Sequence, residues 1–154
     1  MKTNTGLNEK TRKILADNLS KLLADTYILE LKTHSFHWNV TGPHFYSYHQ
    51  LFEGQYTQLH DFTDELAERI RSLGFFAPGS YAEFSKLSSI KEAKRDLSAT
   101  EMIKSLLADR ELMGKHFSET IQLAGSHNDH DTADLLTQQL HEHEKAAWML
   151  RSSL

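Results

Sequence analysis

The sequence predicts an all-α protein built as a four-helix bundle. Apolar residues recur every three or four positions along four long segments, which is the period of a helix buried on one face. Both prolines, Pro43 and Pro78, fall between these segments, and no alternating pattern typical of strands is present. The 154 residues are the usual length of one domain, so we expect a single domain over residues 1–154 with a short N-terminal extension over residues 1–7.

The first helix is expected from Asn8, as its N-cap, to about Asn39. Gly42 and Pro43 then interrupt the helical pattern, and Pro43 suits the first turn of the following helix. The apolar stripe of the first helix is Leu15, Leu19, Leu22, Leu23, Tyr27 and Leu31.

The second helix has the most regular stripe, and Gly74 is expected to cap its C-terminus. Its period of three or four residues predicts one continuous buried face. The stripe is Phe45, Tyr48, Phe52, Tyr56, Leu59, Phe62, Leu66, Ile70 and Leu73.

The third helix opens with a capping box, Ser98 to Glu101, and is expected to end before Gly125. The fourth begins near Asp129–Asp131, where acidic side chains complement the helix dipole. The apolar positions of the two helices are Ile103, Leu106, Met113, Phe117, Ile121, Leu136, Leu140, Ala147 and Leu150.

The connection from Phe75 to Leu97 is far longer than a turn between neighbouring helices requires. It is therefore predicted to cross the length of the bundle, with a short helix at Tyr81-Ala82-Glu83-Phe84. The architecture is thus a four-helix bundle with a long crossover between its second and third long helices.

Composition excludes several classes of function. The absence of cysteine removes disulfides, iron–sulfur clusters and thiolate zinc sites. A net charge of −4 disfavours a generic nucleic-acid-binding surface. No apolar run is long enough for a membrane span or a signal peptide, so we expect a cytoplasmic protein. The 10 histidines remain, and a metal held by imidazole and carboxylate points to iron, manganese or zinc.

Five residues able to bind a metal share one face of the second helix, separated by 4, 7, 4 and 4 positions. They are His49, Glu53, His60, Asp64 and Glu68. His37 lies close to the turn that leads into this helix. The alternative is an ordinary solvated stripe, which most bundle helices carry on their outer face.

Helix geometry decides which of these residues can share a metal. His49 and Asp64 lie about 22 Å apart along the helix axis, so the two side chains of one chain cannot hold the same ion. Either two separate sites exist, or an antiparallel dimer places His37 and His49 against Asp64 and Glu68 of the partner subunit. No Glu-x-x-His motif occurs in the chain, which disfavours a di-iron site within one bundle and favours the shared one.

Four motifs together resemble the Dps mini-ferritins. They are His37-Trp38-Asn39-Val40-Thr41-Gly42, His49-x-x-x-Glu53, Asp64-Glu65-Leu66-Ala67-Glu68-Arg69 and Asp131-Thr132-Ala133-Asp134. The resemblance extends from about Asn8 to Ser152, nearly the whole chain.

This resemblance implies a ferritin-like fold, with subunits assembled as a hollow homododecamer of 23 symmetry and two iron positions at each intersubunit site. His37 and His49 of one subunit would pair there with Asp64 and Glu68 of the partner subunit. Glu53 matches an acid near the second, weaker iron position.

The same resemblance assigns roles outside the ligand set. Trp38 matches a tryptophan that donates an electron or traps a radical, and Arg69 and Glu144 match a salt bridge at another interface. Asp131 and Asp134 would line an ion-entry pore at a three-fold axis. The alternative for this pair is that Asp131 caps the helix and Asp134 complements its dipole.

The implied activity is ferroxidation: Fe(II) is oxidised, preferably by hydrogen peroxide rather than dioxygen, and Fe(III) is stored as a mineral that protects against oxidative stress. The alternative is a nucleoid-compacting, DNA-binding protein, but Lys2 is the one basic residue of the short N-terminal segment. A haem-binding bacterioferritin is disfavoured by the missing Glu-x-x-His pairs. His34 and His60 are candidates for an outer-shell role. The remaining histidines, expected at the surface or at interfaces, include His116, His127, His130, His141 and His143.

Overall fold

The computed structural model describes Thr3 and residues 5–154. Over this range the chain forms helices only, which confirms the all-α four-helix bundle with its additional short helix. The helices are α1 (Glu9–Asn39), α2 (Phe45–Ser72), α3 (Tyr81–Leu87), α4 (Ala99–Ser126) and α5 (His130–Arg151). Part of the predicted N-terminal extension, Met1, Lys2 and Asn4, lies outside the described residues.

The capping residues begin and end the helices close to where the sequence predicts. The Asn8 side chain accepts a hydrogen bond from the Thr11 amide at 2.9 Å, and the capping box of Ser98 is complete. After α2, Gly74 adopts φ +96° and its amide donates to Arg71, while the next amide donates to Ile70. This pair of bonds is a Schellman motif, which requires a left-handed residue at that position.

Two residues predicted to mark helix boundaries lie at other positions than predicted. Pro43 precedes the N-cap residue of α2, His44, so it does not lie in the first turn. Gly125 lies inside α4, which ends at Ser126. Asn128, with φ +60°, makes the left-handed turn into α5 because asparagine tolerates that conformation.

The bundle consists of two helix pairs, α1 with α2 and α4 with α5, and α1 also contacts α3 and α4. Most of the predicted stripe residues are buried, and the aromatic rings of Phe52, Phe62 and Phe117 are almost inaccessible. Leu31 and Phe45 are exceptions, with 40% and 44% exposure, because the apolar stripes of α1 and α2 continue past the part of each helix that other helices of the chain cover.

One buried carboxylate binds the crossover, residues 75–97, to α1. Asp25 of α1 is 2% exposed and accepts hydrogen bonds from the Ser89 amide at 2.6 Å and the Ile90 amide at 3.3 Å. Nearby, the ring of Phe84 in α3 stacks on Tyr27, with ring centroids 4.7 Å apart. These contacts hold residues 75–97 along α1.

Within the described part of the chain, no helix combines the length and the apolar composition needed to cross a bilayer.

Candidate metal centre

Two histidines contact each other where α1 ends and α2 begins. The Nδ1 atom of His37 lies 2.8 Å from the carbonyl oxygen of His49, and Nδ1 of His49 lies 2.9 Å from the carbonyl oxygen of His37. The two rings stack, with centroids 3.7 Å apart and planes inclined by 17°. His37 is in the last turn of α1, where carbonyl groups lack a partner within the helix, so the His49 ring satisfies an acceptor that the helix end leaves open.

The reciprocal bonds fix the tautomer of both rings. A carbonyl oxygen only accepts, so each Nδ1 carries the hydrogen and donates it. A metal would therefore bind each ring through Nε2, the nitrogen that does not contact a carbonyl. The structure thus presents two oriented imidazoles side by side.

Aromatic rings surround this pair. The His34 ring stacks on Tyr56 at 3.8 Å and lies 4.2 Å from the ring of Trp38, while Tyr56 meets His37 edge-on at 5.3 Å. Trp38 itself is 59% exposed. The rings fix the orientation of the α1 histidines, and the redox role of Trp38 stays a prediction.

Acidic groups lie along the same helix faces. Glu53 is half-buried and accepts a hydrogen bond from Gln50 at 3.2 Å. The pKa of Glu30 is raised because burial penalises its charged form, an effect that His34 and the exposed His60 partly oppose. A bound cation would also lower the pKa of Glu30 by favouring its charged form, so this face is suited to positive charge.

The other two predicted ligands, Asp64 and Glu68, are exposed one to two helical turns beyond His60. Among the described residues, no group of three or more His, Asp or Glu side chains is close enough to hold a metal. The chain therefore brings His37 and His49 together but does not bring Asp64 and Glu68 to them. Both acids remain available to another subunit.

The predicted pore residues begin α5, where a third acid has the capping role. Asp129, not Asp131, is the N-cap, and its side chain accepts from the Thr132 amide. Asp131 is exposed and pairs with Arg69, which also binds Asp129 at 2.7 Å. The alternative in which Asp131 caps the helix is thus wrong, because α5 begins at His130 and its N-cap lies two residues before Asp131.

The remaining predicted residues lie on the surface of the bundle. Asp134 is exposed and accepts a hydrogen bond from Gln138. Glu144 is exposed on α5 beside the groove between α4 and α5, and Arg69 is engaged with the start of α5. The predicted pairing of Arg69 with Glu144 across an interface stays a prediction.

One histidine does not lie where the sequence predicts. His143 is 2% exposed, not at the surface, and contacts the equally buried Arg110. Its position continues the α5 stripe between Leu140 and Ala147, a signal that the polar residue type concealed.

Comparison with known proteins matches residues 16–154 to the family model of the ferritin-like domain. A protein of Bacillus anthracis named DNA protection during starvation protein 2 is 37% identical over 142 residues, which is 92% of this chain and 97% of that protein. The chain belongs to the Dps family of ferritin-like proteins. This assignment confirms the family resemblance that the four sequence motifs predict.

Solved structures of Dps proteins have the same fold. The Dps protein of Vibrio cholerae, described as a member of a broad superfamily of ferritin-like diiron-carboxylate proteins, superposes with a TM-score of 0.93 and 31% identity. The match covers 99% of this chain and 96% of that one. A Dps protein of Bacillus brevis gives a TM-score of 0.91 at 34% identity, covering 99% and 98% of the two chains.

Proposed function

We propose that this Dps-family chain is a cytoplasmic ferroxidase that oxidises Fe(II), preferably with hydrogen peroxide, and stores Fe(III) as a mineral inside a homododecameric shell of 23 symmetry. The observation that carries the proposal is the His37–His49 pair, in which backbone carbonyls hold both rings through Nδ1 and leave both Nε2 atoms for a metal. The description of the Vibrio cholerae relative as a diiron-carboxylate protein supports iron as the metal.

The missing ligands are proposed to come from the neighbouring chain. Asp64 and Glu68 are exposed, and the described part of one chain holds no complete ligand set. A two-fold axis across α2 would bring Asp64 and Glu68 of the partner subunit opposite His37 and His49, with Glu53 beside a second iron position. Each interface would then hold two sites related by that axis.

The ligand types favour oxidation of the bound substrate. Carboxylate oxygens are hard ligands that stabilise Fe(III) over Fe(II), and a site with few protein ligands leaves positions open to an oxidant. Two Fe(II) ions supply the two electrons that convert one hydrogen peroxide molecule to two water molecules, with uptake of two protons. No hydroxyl radical is released, which is the chemical basis of the proposed protection against oxidative stress.

Iron entry is assigned to the start of α5. Three copies of Asp131 and Asp134 around a three-fold axis would create a negative potential that concentrates Fe(II). Because Asp131 pairs with Arg69, we assign Asp134 the larger share of the uncompensated charge.

The test combines two single-ligand variants with a matched control. In H37A and D64A, peroxide-driven Fe(II) oxidation should slow by at least about tenfold while size-exclusion chromatography still shows the shell, since each change removes one ligand from every site. His141, exposed on α5, provides the control H141A, which should keep the wild-type rate. A wild-type rate in H37A, or a wild-type protein that elutes as an inactive monomer, would contradict the proposal.

A further inference from the structure

One member of the polar stripe on α2 is not a ligand of the proposed ferroxidase site. The stripe is His49, Glu53, His60, Asp64 and Glu68. In the proposed dimer, His49 lies opposite Glu68 of the partner subunit and Glu53 opposite Asp64 of the partner subunit. Both pairs have the same midpoint, between residues 58 and 59, so the two-fold axis crosses α2 at this level. His60 remains beside the axis, with its symmetry copy about 4.5 Å away along the helix direction.

Glu30 of α1 lies beside His60. The rings of His34 and Tyr56 stack with centroids 3.8 Å apart, which places these two residues at one level of the antiparallel helices α1 and α2. Glu30 comes one turn before His34 and His60 one turn after Tyr56, so Glu30 and His60 share the next level. Burial raises the pKa of Glu30, and His34 and His60 oppose the increase, which agrees with this placement.

The same interface brings Glu30 against the partner subunit. The proposed ferroxidase site joins His37 of α1 and His49 of α2 to one α2 helix of the partner subunit. That helix therefore runs along the groove between α1 and α2. Glu30 and His60 lie on this groove at the level of the two-fold axis, so their symmetry copies approach them there.

The Glu30 carboxylate lacks a strong partner within the chain. Its side chain is 13% exposed, and among the described residues its one ion-pair contact is Nδ1 of His34, at the long distance of 3.7 Å. The two-fold axis adds a second Glu30 carboxylate at the same level. Two partly buried negative charges that face one axis repel each other, and this arrangement is costly unless a cation compensates them.

The residues at the axis form a complete ligand set once two subunits meet. One chain supplies a carboxylate and an imidazole, fewer than the three His, Asp or Glu side chains of a metal-binding group, and the described residues contain no such group within one chain. Two chains supply two imidazole nitrogens and two carboxylate oxygens. Four ligands of these types suit tetrahedral Zn²⁺ and related divalent transition-metal ions. The two carboxylates also balance the charge of one divalent cation.

We propose that Glu30 and His60 of two neighbouring subunits bind one divalent transition-metal cation on the two-fold axis, midway between the two ferroxidase sites of the interface. This inference rests on the proposed function, because it uses the same two-fold axis. The cation compensates both Glu30 carboxylates and links the two subunits. Its ligands are separate from His37, His49, Asp64 and Glu68, so the two kinds of site can be tested apart.

Cobalt(II) chloride is the probe, because Co²⁺ accepts the ligands that bind Zn²⁺ and its four-coordinate form absorbs visible light strongly. Assembled H37A/D64A protein lacks two ligands at every ferroxidase site, so its remaining tight binding reports the axis. We expect one Co²⁺ per two subunits, with the visible bands of a four-coordinate ion. Adding H60Q should weaken this binding at least tenfold, to about the level of non-specific binding, whereas adding H141Q, at an exposed histidine of α5, should leave it unchanged.

Two results would overturn the proposal: no Co²⁺ bound by assembled H37A/D64A, or the same binding after H60Q is added. Anomalous scattering from a wild-type crystal soaked in cobalt(II) chloride gives a second test that needs no variant. A cobalt peak on the two-fold axis between the two His60 rings would support the site. A direct pairing of Glu30 with His60 of the partner subunit, without a peak, would refute it.

Ferroxidase activity of the wild-type protein separates this inference from the proposed function. A wild type that oxidises Fe(II) with peroxide but holds no Co²⁺ on the axis would refute the axis site alone. A wild type that binds Co²⁺ on the axis but does not oxidise Fe(II) would support the axis site and refute the proposed function.

Discussion

Replacing Asp25 by alanine should release the crossover from the bundle. The Asp25 carboxylate is buried and accepts hydrogen bonds from the amides of Ser89 and Ile90, the hydroxyl of Ser88 and the ring of His116. Ser89 is exposed, so water replaces its lost acceptor, whereas the amide of Ile90, which is 6% exposed, would keep only its hydrogen bond to the Ser88 hydroxyl oxygen at 3.0 Å.

The size of the effect follows from these contacts. A hydrogen bond to a charged group contributes about 1.5 to 3 kcal/mol, and D25A removes several of these bonds at once. Allowing for rehydration of the serines, we expect D25A to destabilise the crossover by about 3 kcal/mol. D25N keeps one acceptor oxygen but loses the charge, so its cost should be about half as large.

Amide hydrogen exchange provides the assay, because it reports local opening without requiring the whole shell to unfold. In D25A, peptides covering residues 85–95 should exchange about 100-fold faster, since 1.4 kcal/mol corresponds to a factor of ten. D17A is the matched control, because Asp17 forms an exposed ion pair with Lys13 of the same helix. Exchange in D25A within a factor of two of that in D17A would refute the anchoring role of Asp25.

Two further predictions concern pH and iron entry. The pKa of His143 is lowered in the folded protein, so as pH falls the unfolded chain binds a proton at this residue before the folded chain does. The free energy of unfolding should therefore decrease below about pH 6.5, by up to about 1.4 kcal/mol per pH unit. Urea unfolding from pH 7.5 to 5 should show this slope reduced in H143Q, and an identical slope in both proteins would contradict it. At low ionic strength, D131N/D134N should take up Fe(II) severalfold more slowly than wild type, a difference that 0.5 M salt removes. Uptake that is unchanged at low salt would show that iron enters elsewhere.

The sequence was sufficient to predict the helices because their signals are local. The Ser98 capping box and the Gly74 turn are formed by residues close in the chain, and both occur where predicted. Pro43 and Gly125 were misassigned because each residue type is compatible with two neighbouring positions at a helix end.

The buried polar residues could not be predicted in the same way. Asp25, Arg110 and His143 occupy core positions, but a charged or polar residue type normally indicates the surface. Only the partners contributed by other helices make such burial tolerable, and those partners are distant in sequence.

The candidate site was predictable in part. Spacing along α2 showed that His49 and Asp64 of one chain cannot share an ion, and the absence of a complete ligand set in the described part of the chain agrees with this. The reciprocal bonds of His37 and His49 were not predictable, because they depend on how the turn between α1 and α2 places two backbone carbonyls.

Mixed shells of two inactive variants test whether each iron site takes its ligands from two subunits. H37A and D64A should each be nearly inactive alone. After reversible dissociation and reassembly of a mixture, an interface between the two variants contains one site with all four ligands and one site that lacks two. We expect recovery of about a quarter of the wild-type rate, because random pairing makes half of the interfaces mixed and half of their sites complete. No recovery, despite mixing verified by mass spectrometry, would show that the ligands do not come from two subunits.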